Sequence, residues 1–307
     1  MIISDTQIPT LAQVLELYQQ RYLDVGILAF RTKREYRNDL KSVIAFLVDR
    51  CGLVFPTQVT RVHLEAYLEH LEGNGYSGAA RRRQYASIRS FFLFLLAQES
   101  ILADPTAELP VPERDERSPR VLTETEYRHL QLVVRQNVST PARRDCALIE
   151  LLLETGLRLC EVSRLTLADL DLPPTITNEG PSGAVRVIRR GRTARTLPLT
   201  WQACQAIRAY LAIRPQVADP TLFISKFQTG MSSRSIERTV AKHLAAAGIH
   251  DASVHTLRHT FAVTQVKNRA SLETVQELLG HASPDTIQIY VNLASQGGEK
   301  AMEVASL

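Results

Sequence analysis

Residues 255–290 read HTLRHTFAVTQVKNRASLETVQELLGHASPDTIQIY, and this stretch decides how the second half of the chain folds. Its apolar spacing predicts one helix over His255–Lys267 and a second over Leu272–Leu279, which Gly280 stops. Ser283-Pro284-Asp285 then restarts the chain as a third helix, with serine at the cap and proline in the first turn. Short helices joined at tight corners bring distant side chains together. His255 and Arg258 stand at i and i+3 and so share a helix face. His281 follows the Gly280 stop, and Tyr290 lies nine residues later on the next helix.

Working outward, Asp145–Glu154 is a strongly apolar helix that ends at Thr155-Gly156. Arg158 follows at the corner, between Leu157 and Leu159. A guanidinium enclosed in this way needs an anion. Glu161 is three residues on and can orient it while leaving other N–H groups for a ligand. Val185–Arg190 and Arg195–Leu199 read as two strands around a turn at Gly191, and Leu222–Ser225 as a third. Thr123 with Glu126 has the pattern of a reciprocal helix cap. Further helices are expected over Trp201–Ile213 and Ser235–Ala247, so residues 121–307 form a mainly helical domain with one small sheet.

Upstream, residues 108–120 (ELPVPERDERSPR) have linker composition, with three prolines and seven charges. Residues 1–107 read as a four-helix domain. Leu11, Val14, Leu15, Tyr18 and Tyr22 fall on one helix face, and a second helix covers Thr32–Leu47. Thr60 caps a third, carrying Val62, Leu64, Tyr67, Leu68 and Leu71 to the Gly73-Asn74-Gly75 stop. Ser77 caps a fourth, which runs through Arg81-Arg82-Arg83 to an apolar run at Phe91–Ala97 that calls for burial on several sides.

Composition excludes several classes. With 45% apolar and 22% charged residues, disorder is not the main state. The longest apolar run, Phe91–Ala97, is far too short to span a membrane, and residues 1–13 lack the pattern of a secretory signal. Cys51, Cys146, Cys160 and Cys204 are scattered, which rules out a disulfide scaffold or zinc ribbon and fits a reducing cytoplasm. Net charge is only +4, but arginine far outnumbers lysine, and arginine grips phosphate with a planar fork.

Arg158, Arg258, His255, His281 and Tyr290 together compose a phosphate site with a nucleophile, and no metal is required. Singly, each has a plain structural use, as a helix-end cap, a packed histidine or a core tyrosine. Jointly, in this order, those uses do not account for the pattern. His255 and His259 also form an HxxxH pair, but Thr256 stands where a zinc metalloprotease needs Glu, and no third ligand is evident.

These motifs resemble those of the tyrosine recombinase (phage integrase) family. Gly156-Leu157-Arg158 with Glu161, His255-x-Leu257-Arg258-His259, Leu279-Gly280-His281 and Tyr290 match its pattern over about 122–290, and residues 1–107 look more loosely like its SAM-like core-binding domain. The compact two-domain Xer-like members are the nearest in layout. The resemblance implies a helical N-terminal core-binding domain followed by an α+β catalytic domain. It implies site-specific recombination of double-stranded DNA, without cofactor or metal, by dimers and tetramers, with accessory DNA-binding proteins as further partners. Such an enzyme belongs in the cytoplasm at the nucleoid. In that chemistry Tyr290 becomes linked to a 3′-phosphate, Arg158, Arg258 and His281 neutralise phosphate oxygens, and His255 takes the tyrosine proton. Glu161 and His259 stand behind these as supports. A type IB topoisomerase and a non-catalytic DNA-binding relative are the rival readings.

One position departs from the family pattern. A hairpin Lys usually protonates the leaving oxygen, but Arg189-Arg190-Gly191-Arg192-Thr193-Ala194-Arg195 contains none, and Arg190 occupies its place. Arginine donates protons poorly. Either Arg190 acts electrostatically, or Lys226 reaches in, or cleavage is slow; alternatively the hairpin only clamps the DNA backbone, with Arg189 and Arg192 as its candidate contacts. Arg81, Arg82 and Arg83 are further candidates for phosphate contact. The terminal residues 301–307 resemble the segment that family members dock into a neighbouring protomer.

Overall fold

Thr10 starts the first helix by accepting a hydrogen bond from the Gln13 amide, while the Gln13 side chain accepts one from the Thr10 amide. This reciprocal cap satisfies two amides that have no partner within the helix. The computed structural model describes residues 9–26, 28, 30–113, 118–136, 139–173, 182–188, 194–280 and 286–295, and it divides into two units, Met1–Arg117 and Ser118–Leu307. Helix α1 (Leu11–Tyr18) continues into a π-helical turn over Gln19–Leu23, where the Asp24 amide donates to the Gln19 carbonyl at 2.9 Å. The wider turn shifts the helical register. Leu23 is therefore buried, whereas Tyr22, expected on the core face, is 43% exposed and stacks on Tyr18.

Helices α2 (Phe30–Asp49), α3 (Arg61–Gly73) and α4 (Gly78–Ala97) complete the first unit around Leu40, Leu64, Tyr67 and Phe91. Val62 faces outward, at 68% exposure, and is not a core residue as its spacing suggested. The apolar run of α4 is buried at Phe91, Phe92 and Leu95, and exposed at Leu93. Between α2 and α4, Arg83 donates to Glu35 and to Asp39 (2.8 Å), and the Ser87 hydroxyl donates to Asp39 (3.3 Å). Burial pushes the Asp39 carboxyl up, and Arg83 and Ser87 only partly offset this. Arg83→Ala is therefore expected to lower the thermal midpoint, because an under-bonded buried acceptor costs about 1–3 kcal/mol. An unchanged melting curve would remove the α2–α4 tie from the account.

In the second unit, Thr123 caps α5 (Glu124–Arg135), as its sequence pattern predicts. Helix α6 (Thr140–Thr155) runs through the core, with Ala147 to Leu153 all buried. Its one charge in that run, Glu150, accepts from Arg135 (2.7 Å) and Gln131 (2.9 Å) of α5. A short helix α7 (Leu159–Val162) follows. The antiparallel sheet has the order β1 (Leu170–Asp171), β2 (Gly183–Val187), β3 (Arg195–Leu199), with Val185 opposite Leu197. The third strand is thus Leu170–Asp171 and not the expected Leu222–Ser225. There Leu222, Phe223 and Ile224 are all buried, and the backbone pairs in isolated antiparallel bridges, Thr221 with Thr166 and Ile224 with Gly230, while Arg214 donates to the carbonyls of Thr221 and Leu222. Helices α8 (Trp201–Leu211), α9 (Ser233–Ala246), α10 (Val254–Lys267) and α11 (Leu272–Leu279) follow, and residues 286–295 form helix α12. The architecture is mainly helical with one small sheet.

Candidate active site

Two glycines set the corners that build the site. Gly156 ends α6 at φ +58°, and a Cβ there would lie 2.5 Å from the Phe261 ring. Gly280 ends α11 at φ +71°, and a Cβ there would lie 2.6 Å from Arg195 Nη1 and 3.2 Å from Arg158 Nη1. Both positions combine a left-handed backbone with a close approach, and both require glycine.

The last carbonyls of α11 have no helical partners. Three arginines from three elements fill them. Arg195, at the start of β3, donates from Nε to the Leu278 carbonyl (3.0 Å). Arg158, just before α7, donates to Leu279 (2.9 Å) and Gly280 (3.4 Å). Arg258 of α10 donates to Leu279 (2.7 Å) and, with its other terminal nitrogen, to Gly156 (2.6 Å). The negative end of the helix dipole favours cations here.

Glu161 holds two of the three. Its carboxylate accepts from Arg195 at 3.1 and 2.9 Å, and from Arg158 at 3.2 Å through the guanidinium and 2.8 Å through the backbone amide. Burial pushes its carboxyl up, but the bonds and charges of Arg195 and Arg158 outweigh that and leave it below the usual range. Among the described residues, three guanidiniums against one carboxylate leave a local excess of two positive charges. Burial, then the neighbouring Arg158, pulls Arg258 down to about 10, so it stays charged at neutral pH.

Tyr290, on α12, is 2% exposed and packs with Phe261, Val275, Leu279 and Ile287. Burial raises its phenol, and the charges of Arg258 and Arg158 act against that rise. Its hydroxyl lies 2.9 Å from His259 Nδ1. Burial, then His255 and Arg258, holds His259 down at about 4. His255 is exposed, with its ring centroid 6.5 Å from that of His259.

The fold therefore gathers Arg158, Glu161, Arg258, His259 and Tyr290 of the expected set. His255 sits at the margin. His281, Arg189, Arg190 and Arg192 lie outside the described residues, as do the Gly191 turn and the terminal segment 301–307. Lys226 sits on an exposed loop with its ammonium 5.0 Å from the Phe227 ring centroid. In the first unit the three candidate DNA-binding arginines are engaged internally: Arg81 with Glu72 (2.9 Å), Arg82 with the Pro112 carbonyl (3.2 Å) and Arg83 with Glu35 and Asp39. Arg195 is the residue that motif reading passed over. Its signal was present in the alternation, because Leu197 and Leu199 point inward and a residue two before Leu197 must do the same.

Comparison with known proteins matches residues 120–296 to the phage integrase family and residues 15–99 to the phage integrase N-terminal SAM-like domain. A tyrosine recombinase XerD of Bifidobacterium longum is 33% identical over 296 residues, covering 91% of this chain and 93% of that one. A tyrosine recombinase XerC of Herpetosiphon aurantiacus is 31% identical over 275 residues, covering 88% and 87%. Among solved structures, the XerH site-specific recombinase in a post-cleavage complex with a palindromic difH substrate aligns with TM-score 0.75 at 19% identity, over 97% of this chain and 85% of that one. A lambda integrase tetramer bound to a Holliday junction aligns with TM-score 0.71 at 18% identity, over 92% and 77%. At those identities the structures share the fold.

Proposed function

The chain belongs to the phage integrase family, and from that premise we propose that it is a site-specific DNA recombinase that cuts and rejoins strands through a tyrosine-linked intermediate. The observation that carries this reading is the convergence of three guanidiniums on one helix end beside a buried phenol, with the Glu161 carboxylate holding two of them. Phosphoryl transfer is mostly positioning and neutralisation of charge on the non-bridging oxygens. Arg258 spends its carbonyl bonds on two of five N–H donors, so it can grip its supports and a phosphate together. Tyr290 attacks the scissile phosphate, bonds to its 3′ side and releases a 5′-hydroxyl. The phosphotyrosyl ester retains the bond energy, so a new 5′-hydroxyl can reverse the step without ATP. His281 and Arg190 are assigned to phosphate contact on the same reading, and Arg189 and Arg192 to the DNA backbone.

Each unit is taken to contact duplex DNA, and four protomers to pair two sites. The enzyme is then a cytoplasmic, nucleoid-associated protein; among the described residues no helix is long and apolar enough to cross a membrane. The test uses plasmids carrying one or two copies of the site that the protein selects from a random duplex pool, with EDTA present. Exchange between two sites is expected, with affinity falling steeply as salt rises, because phosphate contacts dominate binding. Relaxation of one-site plasmids without exchange between two sites would instead identify a topoisomerase.

A further inference from the structure

We propose that Arg195 is a positioning residue of strand cleavage: it binds both oxygens of Glu161, so that Arg158 keeps its charge and its remaining N–H groups for the scissile phosphate. The assignment rests on the recombinase reading above. Arg195 opens β3, where its backbone pairs with Val187 of β2. Leu197 and Leu199 are buried, so strand alternation turns the Arg195 side chain inward as well. Its Nε donates to the Leu278 carbonyl (3.0 Å), which anchors the guanidinium on the end of α11. Nη1 and Nη2 then reach Glu161 Oε1 (3.1 Å) and Oε2 (2.9 Å) as a fork on the carboxylate.

Arg158 holds the same carboxylate differently. Its side chain gives Glu161 one bond, from Nη1 to Oε1 at 3.2 Å, and its backbone amide donates to Oε2 (2.8 Å). Nη1 and Nη2 also donate to the Leu279 and Gly280 carbonyls. Among the described residues, three of five guanidinium donors are thereby engaged, and the others are left for an anion. The Arg158 side chain is also the more open of the two, 26% exposed against 10% for Arg195. The pair forms two layers, with Arg195 behind and Arg158 in front. Both close over Gly280, where a Cβ would meet each of them.

The charge balance follows from the layers. Burial opposes an ionised Glu161, and the hydrogen bonds from Arg195 are the foremost influence that keeps it charged, ahead of the Arg158 amide. A guanidinium on both oxygens offsets that charge, so the pair behaves as a neutral support. Without Arg195, Arg158 would face a carboxylate with open acceptor positions on both oxygens. It would turn its own fork into Glu161 and leave the α11 carbonyls, and its charge would be neutralised before a phosphate arrived. Arg195 needs no contact with phosphate to act in this way.

Arg195→Gln keeps an N–H donor but loses the fork and the charge. The readout is the single-turnover rate of adduct formation on a nicked duplex bearing the selected site, beside the affinity for that duplex. The rate is expected to fall about 10-fold, the scale of coupling between touching groups, with affinity nearly unchanged. In a Glu161→Gln background, which removes the charge that Arg195 offsets, the same substitution is expected to cost little further. A duplex with an uncharged methylphosphonate at the cleavage position needs less neutralisation, and on it the loss is expected to shrink. A merely distorted fold would slow both substrates alike and would be indifferent to the charge at position 161. A wild-type rate in Arg195→Gln, an undiminished loss in the Glu161→Gln background, or the same loss on the methylphosphonate would each overturn the proposal. If the Gln variant fails to melt cooperatively, Arg195→Lys, which cannot form the fork, carries the same test. An adduct that survives Tyr290→Phe sinks the recombinase reading, whereas an adduct lost in Tyr290→Phe but formed at the wild-type rate by Arg195→Gln sinks only this assignment.

Discussion

Tyr290→Phe is expected to abolish the covalent protein–DNA adduct on a nicked duplex, a loss on the order of 10⁴-fold or more, because the nucleophile itself is removed. The substitution deletes one oxygen and leaves the ring. The packing of that ring against Phe261, Val275, Leu279 and Ile287 is retained, so the variant is expected to fold and to bind DNA with wild-type affinity. The unpaired His259 Nδ1 is only half-buried and can recruit water. Gel retardation and adduct formation on the same duplex separate binding from chemistry. Normal binding without adduct is the expected pair of results. An adduct that persists would place the nucleophile elsewhere, and a requirement for a divalent ion would point to a different reaction altogether.

The second large effect is expected at Arg258. An arginine that neutralises phosphoryl transition-state charge is worth on the order of 10³–10⁵ in rate, and Arg258→Ala is expected to fall in that range. Arg258→Lys is expected to recover little, because an ammonium cannot span Gly156 and Leu279 and also present a fork to phosphate. DNA affinity, spread over many phosphates, is expected to change far less than the cleavage rate. Arg195→Gln is expected to lose rate by a smaller factor, because Arg195 acts through Glu161 and the Leu278 carbonyl. A parallel loss of affinity and rate in Arg258→Lys would mean that the residue binds DNA without serving the chemistry. An Arg195→Gln protein as fast as wild type would show that Arg158 holds its position without that support.

Part of this site is written in local order. Gly156, Arg158 and Glu161 lie within six residues, and His255, Arg258 and His259 within one helical turn and a residue, so their shared corners and faces follow from helix geometry alone. Gly280 announces both the end of α11 and the exposed carbonyls beyond Leu278. The strand at Arg195–Leu199 was legible from its alternation, and with it the inward direction of Arg195.

Other features were not legible, because more distant contacts decide them. Tyr22 has helical spacing with Tyr18, but a π turn displaces it and puts Leu23 in the core, and nothing in the local pattern signals the extra residue. Leu222–Ser225 has strand composition, yet the backbone around it pairs in isolated bridges, to Thr166 and Gly230, rather than as a continuous ladder with the sheet. That Arg81, Arg82 and Arg83 each hold a partner within the unit, at Glu72, at the Pro112 carbonyl, and at Glu35 with Asp39, follows from the fold and not from the run itself.

The linear order alone determined the class of chemistry. Two arginines, histidines and a tyrosine in that succession suit phosphoryl transfer, and residue type fixes what each group can donate or accept. Only the tertiary structure decided which groups touch. Arg195 is 37 residues from Arg158 and 63 from Arg258, yet all three close on one helix end, and the phenol meets His259 rather than His255. The physical reason is that a buried polar group takes whichever partner the packing brings within about 3 Å, and the packing depends on every helix at once.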